Sequence, residues 1–363
     1  MADVQPFRAV RYSGAAGRLG DLVAPPYDTV DTVERRRLAA LSPFNVIHLT
    51  LPDSAEDAGK LYREWLSGGI LEHDEQPAAW LMVDDFVGPD GIARERRGVV
   101  VSLAAVPYSA GLVLPHERTH PGIRDERLEL LRSTRVQLEP IFMLLDRSLE
   151  LTEPPEPPHL RADGVRLWEL PGFDADALGG GSGSELLIAD GHHRYESALE
   201  FGSEVGPAGA RIMALVVSTL DPGLHVFPTH RSFSGRPDLA ALREGATCAD
   251  LVEALSRLSD ESLAHSAAVA YRQGHVELVR GREGELDVEL VDRHGLDGIA
   301  YTPIEADAVG AVDRGEADVA FIVREPRIAD LFAVARRGDR MPQKSTYFYP
   351  KPLSGLLFHP VDA

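Results

Sequence analysis

An aspartate, a glycine, two histidines and an arginine close a short apolar run in Leu186-Leu187-Ile188-Ala189-Asp190-Gly191-His192-His193-Arg194. A strand that passes through Asp-Gly directly into a helix leaves the first backbone N–H groups of that helix without partners. Those donors, with the helix dipole, make an anion site suited to phosphate. Gly191 permits close backbone approach, and Arg194 offers a planar fork that fits phosphate oxygens. His192 and His193 follow in the first turn of that helix. Asp190 is placed to cap the helix, to orient a hydroxyl or to face a Mg²⁺ ion.

A second cluster is Leu114-Pro115-His116-Glu117-Arg118-Thr119-His120. It puts an acid, a hydroxyl and imidazoles on a Pro-flanked loop, where catalytic groups often sit. Glu117 suits a general base with His116 as its orienting partner, while Arg118 and Thr119 are candidate phosphate contacts. His116-Glu117 lacks the HExxH spacing that sets two zinc ligands on one helical face. A third cluster, Met341-Pro342-Gln343-Lys344-Ser345-Thr346-Tyr347-Phe348-Tyr349-Pro350-Lys351, interleaves lysines and hydroxyls with aromatics. Lysine is scarce in this chain, which makes Lys344, Ser345 and Thr346 candidate holders of a substrate carboxylate or phosphate. Pro228-Thr229-His230-Arg231 reads first as a turn, with His230 as a candidate substrate contact. Tyr27, Asp28 and Asn45 are candidate pocket walls on otherwise scaffold segments. No Walker A sequence and no GxGxxG after a strand is present, which sets aside the two commonest nucleotide folds.

The elements that must position these residues alternate between strand and helix signals. Strands are expected at Phe7–Tyr12, Asn45–Leu51, Ala79–Val87 and Ile92–Leu103, with helices at Thr32–Leu41 and Ser54–Leu66. Gly88-Pro89-Asp90-Gly91 marks a hairpin. Beyond Gly111, a helix over Arg124–Arg135, buried strands at Ile141–Leu145, Leu186–Ala189 and Arg211–Thr219, and a helix from His192 are expected. Gly179–Gly183 reads as a linker loop. The last third carries helices near Leu239–Leu258, Ile304–Arg314 and Ile328–Arg337, with strands within Ala267–Val291 and at Asp318–Val323. Cys248 falls on the helix-like stretch Ala246–Leu258. This mixture predicts an α+β protein.

Composition narrows the function classes. The chain has 363 residues, enough for more than one core. Its 37 basic and 57 acidic side chains leave a formal charge of −20, a field that repels nucleic acid and anionic membranes. A single cysteine excludes a disulfide framework and a Cys-based zinc site. Met-Ala-Asp-Val-Gln-Pro lacks the basic and apolar regions of a signal peptide, and no apolar run approaches the roughly 20 residues of a membrane span. The expected compartment is the cytoplasm.

With these residues in view, IADGHHRYE, LPHERTH and MPQKSTYFYPK together resemble a bacterial family catalogued as domain of unknown function 1015, from APPYD to the C-terminal segment. The stretch from about Leu114 to Leu353 resembles, more distantly, the archaeal free-serine kinases of the ParB/sulfiredoxin-like superfamily. Those enzymes share a Pro-His-Glu loop, a strand-Asp-Gly-His-His-Arg turn, a Gly-Glu-Ile-Asp-type strand and a Pro-Lys-Thr-Thr segment. The counterparts here are Pro115–Glu117, Asp190–Arg194, Gly315–Asp318 and Pro342–Thr346. The resemblance implies Glu117 as catalytic base. It implies phosphates and the reacting hydroxyl at Asp190, His192, His193 and Arg194, and amino-acid substrate at Lys344, Ser345 and Thr346. Two departures stand out. Tyr347-Phe348 replaces an Arg-His pair, and Gln343 is inserted between Pro and Lys.

The reading that follows is a nucleotide-dependent small-molecule kinase acting on the hydroxyl of free serine or a related compound. ATP or ADP is the expected donor, with Mg²⁺ on the phosphates and at Asp190. The expected fold is a ParB/sulfiredoxin-like mixed-sheet nucleotide-binding core at 111–235, preceded by an N-terminal α/β extension at 1–110. A C-terminal α/β substrate lobe at 236–363 completes it. A homodimer is allowed; nucleic-acid and membrane partners are not expected. Two alternatives stand beside it: a ParB-type nucleotide switch, and a metal-dependent hydrolase built on His116, His120, His192 and His193.

Overall fold

Nine strands form one mixed sheet among the described residues of a computed structural model, which are 2–174, 178, 185–234, 246–293 and 298–361. The expected linker at Gly179–Gly183 lies outside them. The order across the sheet is Val113–Pro115, Leu186–Asp190, Ile141–Leu145, Arg211–Ser218, Ala93–Ala104, Ala79–Val87, Val165–Leu170 and Leu160–Ala162. Val4–Gln5 adds to the end of Ala93–Ala104. Two pairings are parallel, Leu186–Asp190 with Val113–Pro115 and Arg211–Ser218 with Ile141–Leu145. The protein is therefore α+β with a mixed sheet.

Why the central strands are apolar throughout follows from their two-sided burial, since successive side chains point to opposite faces. Phe142, Leu144, Leu187, Ala189, Met213, Leu215 and Val217 pack on one face with Leu331 and Phe332 of the helix Ile328–Arg336. Ile141, Met143, Leu186, Ile188, Ile212, Ala214 and Val216 pack on the other with Tyr195 and Ala198 of the helix His192–Val205. A second, wholly antiparallel sheet of six strands runs from Ala246–Cys248 at one edge to Ile299–Thr302 at the other.

Several expectations require correction. Asn45–Leu51 is not a strand, because Ile47–Thr50 forms a short helix. The Asn45 carboxamide donates to Asp21 O and Val23 O and accepts from Ile47 N, which starts a turn. Val46, Ile47 and Leu49 then bury with Tyr62, Trp65 and Phe358, so packing overrides β-propensity. Asn45 is scaffold rather than a pocket wall. Cys248 ends the strand Ala246–Cys248, and the helix begins only at Leu251, capped by Asp250.

The expected boundary at residue 110 does not separate two sheets. Ala79–Val87 and Ala93–Ala104 lie inside the same sheet as Ile141–Leu145. Nor does 236–363 form one lobe. Tyr347–Phe348 pairs with Val226–Phe227, Ser354 exchanges hydrogen bonds with Ala24, and Phe358 does so with Val10. The last twenty described residues thus return to segments before residue 236. No helix among the described residues is long and apolar enough to cross a membrane.

Candidate active site

Parallel pairing is what unites the first two clusters. Leu187 lies opposite Leu114 and Ile188 opposite Pro115, so both strands deliver their next residues past the same sheet end. Sites in α/β proteins form outside the carboxyl ends of such strands. His116 is fully buried there. Its Nδ1 donates to Ile188 O at 2.6 Å, and its Nε2 lies 3.2 Å from Thr346 Oγ1. The Nε2 of His192 accepts from the backbone N–H groups of His116 and Glu117, at 3.2 and 3.3 Å. That of His193 accepts from His120 N at 2.8 Å, and Thr119 Oγ1 donates to Glu196 at 2.7 Å.

These contacts change the roles expected of His192, His193 and Thr119. Their side chains lace the 116–120 loop onto the first turn of the helix His192–Val205. Within this lacing Glu117 stays accessible, its side chain 35% exposed and its Oε1 3.9 Å from His116 Nε2. Burial lowers the pKa of His116 and drives that of His192 well down, so both are neutral at pH 7. Burial also pushes His230 and His359 to about 4. The unfolded chain, with histidines near 6.5, then takes up protons before the folded one does. Stability is complete above pH 6.5 and falls as the pH drops towards 4. Each histidine contributes up to roughly 1.4 kcal/mol per pH unit. Urea melts at pH 7, 6 and 5 should show a steadily falling midpoint, and an unchanged midpoint would contradict neutral burial.

The second half of the site is a charge network. Arg194 is 7% exposed; its guanidinium donates to Asp190 Oδ2 at 2.9 Å and Pro140 O at 2.8 Å, and its Nε is 3.4 Å from Glu139 Oε1. This corrects the expectation of a free fork for phosphate. Lys351 Nζ is 2.6 Å from Asp190 Oδ1 and also bonds Asp28. Burial works against the Asp190 charge, but Lys351 and Arg194 outweigh it and hold the carboxyl below its usual range. Burial likewise opposes the Lys351 charge, and Asp190 and Asp28 more than compensate, raising its pKa. Arg96, buried in the central strand, donates to Pro350 O at 2.8 Å and so fixes the segment that carries Lys351.

Gly191 caps the helix with φ 99° and without a side-chain cap. An added Cβ would lie 2.5 Å from Ile141 Cγ2. Gly191→Ala should therefore cost about 2–4 kcal/mol from left-handed strain and overpacking together. Chemical denaturation checks this, and a wild-type midpoint would show that the turn relaxes freely.

The C-terminal cluster reaches the same place. Met341 N donates to His116 O at 2.8 Å, and neutral His116 takes its Nε2 hydrogen bond from Thr346. Lys344 is exposed, at φ 54°, over the buried Arg231, which donates to Lys344 O. Ser345 turns inward, bonded to Pro342 O at 2.5 Å, and so is not available as a substrate contact. His230 is also misplaced as a substrate contact. It belongs to the buried strand His230–Phe233 and accepts from Val323 N at 3.3 Å. Arg118 is exposed beside Glu117. Among the described residues, Arg340 hydrogen-bonds only carbonyls of its own turn and lies over the Tyr108 ring, and its charge is felt by His116 and His192.

Glu139 and Arg340 escaped the sequence reading, and Lys351 stood in the third cluster without a role. The available signal was that two of only three lysines fall within 341–351. Mg²⁺ does not fit at Asp190, because both carboxylate oxygens are already paired with Arg194 and Lys351. Among the described residues, no group of three or more His, Cys, Asp or Glu is placed to hold a metal ion. The four histidines of the hydrolase alternative instead form two pairs, His116 with His192 and His120 with His193.

An uncapped helix start, the partly exposed carboxylate of Glu117 and the Arg194–Asp190–Lys351 charge network lie at one end of the mixed sheet of an α+β protein. The chain belongs to the DUF1015 family of proteins of unknown function, which it matches over residues 4–298, in agreement with the motif resemblance. No curated protein matches it. Among solved structures, it is similar to a conserved hypothetical protein from Pyrococcus furiosus, with 17% identity, 70% of this chain, 93% of that chain and TM-score 0.39. A free serine kinase in complex with AMP shows 16% identity, 71% and 91% coverage and TM-score 0.42. SbnI with a C-terminal truncation, from Staphylococcus aureus, shows 13%, 69% and 84%, and 0.42. Likenesses this distant carry no activity across to this chain.

Proposed function

We propose that this protein is a nucleotide-dependent phosphotransferase acting on the hydroxyl of a small metabolite, free serine or a related compound, within the ParB/sulfiredoxin-like superfamily. The observation that carries this reading is the parallel pairing that sets accessible Glu117 beside the uncapped helix start at Gly191. The amides of that first turn receive phosphate oxygens of ATP or ADP. Exposed Arg118 and Lys344, with half-buried Arg340, supply the positive charge that the paired Arg194 cannot. Glu117 takes the proton of the acceptor hydroxyl. The acceptor oxygen then bonds to the terminal phosphorus as the bridging P–O bond to the nucleotide breaks. Asp190, fixed through both oxygens, orients the turn. The chain itself contributes no metal ligand in this reading.

The test is incubation with a panel of nucleotides and small hydroxylated metabolites, read by phosphorus NMR. A new phosphomonoester signal that depends on the acceptor is expected. Orthophosphate release alone would overturn the transferase reading in favour of a nucleotide-hydrolysing switch.

A further inference from the structure

A cavity of about 40 Å³ adjoins Arg194, lined on its polar side by Thr50, Arg127, Glu139 and Arg194 and on its apolar side by residues including Leu130 and Leu138. That volume suits roughly three or four waters, since one water needs about 10–15 Å³ by the same measure. Because covalently bonded atoms take less room each than separate waters, the same space accepts a small carboxylate. Two buried donors in its lining have no acceptor, Thr50 Oγ1 and Arg127 Nε, and Arg194 Nε makes no hydrogen bond beyond its 3.4 Å ion pair with Glu139. Thr50 is 1% exposed, and that hydroxyl is its one side-chain polar group. Buried polar groups are ordinarily satisfied, so two orphans on one cavity call for an occupant that accepts hydrogen bonds.

Charge identifies the occupant further. Arg127 donates from Nη1 to Thr50 O at 2.8 Å, and its guanidinium lies 4.2 Å from the Tyr27 ring centre. No ion pair joins it to a carboxylate among the described residues. Glu139 is already committed to Arg194 and to the Ser354 hydroxyl. A partly buried guanidinium without a counter-ion favours an anion over neutral waters. Two oxygens meet the guanidinium donors, and the leucine wall accepts a short hydrocarbon.

We infer that this cavity binds a short aliphatic carboxylate, held by Arg127, Arg194 and Thr50. The site is separate from Glu117 yet wired to the phosphate end. Arg194 holds Asp190, while Tyr27, which covers Arg127, precedes Asp28 of the Lys351 bridge. An occupant therefore acts as an effector of the Asp190 network.

Propionate is the probe, titrated calorimetrically into the full-length protein, with a crystal structure at saturating propionate. One molecule per chain is expected, with its carboxylate on Arg127. Arg127→Met and the near-isosteric Thr50→Val should each weaken binding by about tenfold or more, the loss of at least one hydrogen bond to a charged group. Thr50→Val carries the test if Arg127→Met fails to fold. Glu117→Gln should bind propionate as wild type does, whatever its effect on turnover, so this inference stands or falls apart from the transferase reading. Ordered water alone in the cavity at saturating propionate would overturn it. So would undiminished binding by the variants, or a preference for inorganic phosphate over propionate.

Discussion

Glu117→Gln should lower kcat by ~10²–10⁴ while nucleotide affinity stays within a few-fold of wild type. The substitution keeps the side-chain shape and removes the proton acceptor. It leaves the loop in place, because the contact that anchors this residue runs from its backbone N–H to His192 Nε2. Other carboxylates of the site are engaged: Asp190 by Arg194 and Lys351, Asp28 by Lys351, Glu196 by Thr119. Among the described residues, the Glu117 carboxylate has only a neutral imidazole at 3.9 Å. Turnover measured under saturating acceptor, with calorimetry of nucleotide binding, separates chemistry from affinity. Near-wild-type turnover would remove Glu117 from the reaction.

The largest stability effect is expected at Arg194. Replacing it by Met strands Glu139 and weakens the pairing of Asp190, and breaking a buried ion pair from one side costs about 3–5 kcal/mol. It also removes the donor to Pro140 O. A marked drop in the denaturation midpoint should follow. Adding Glu139→Gln should recover part of the loss, because the abandoned charge is then absent. A wild-type midpoint accompanied by weak nucleotide binding would return Arg194 to the phosphates, and the buried network would not be its main role.

How far the sequence announced these features depended on whether local chemistry or distant packing decides them. Ile141–Leu145 and Leu186–Asp190 were legible because strands buried on both faces must be apolar throughout, and flanking Pro and Gly set their limits. The helix start at His192 was legible from Asp-Gly. Asn45–Leu51 was not, because its apolar β-branched composition is equally served by a helix turn packed against Trp65 and Phe358, the latter more than three hundred residues away. At the site, residue types told what each group is able to bind but not which way it points. Arg194 suits phosphate as well as it suits Asp190 and Glu139, and its burial depends on where Glu139-Pro140 enters the sheet. Lys351 was noted in its cluster, but its role was unreadable for the same reason, since both its carboxylate partners are remote in sequence.

The route of the final segment has a consequence for how the protein is made. Met341, Thr346 and Lys351 are needed to finish a site whose other parts, from Asp28 to Arg194, emerge from the ribosome first. At about 5–20 residues per second, the interval between the Asp190 turn and its lysine is roughly ten to thirty seconds. During that time the nascent chain displays an aspartate pair without its ammonium partner and a Pro-His-Glu loop without Thr346. A ribosome-stalled chain ending near residue 330 should hold the central sheet yet lack nucleotide-dependent chemistry, so that activity waits for Lys351.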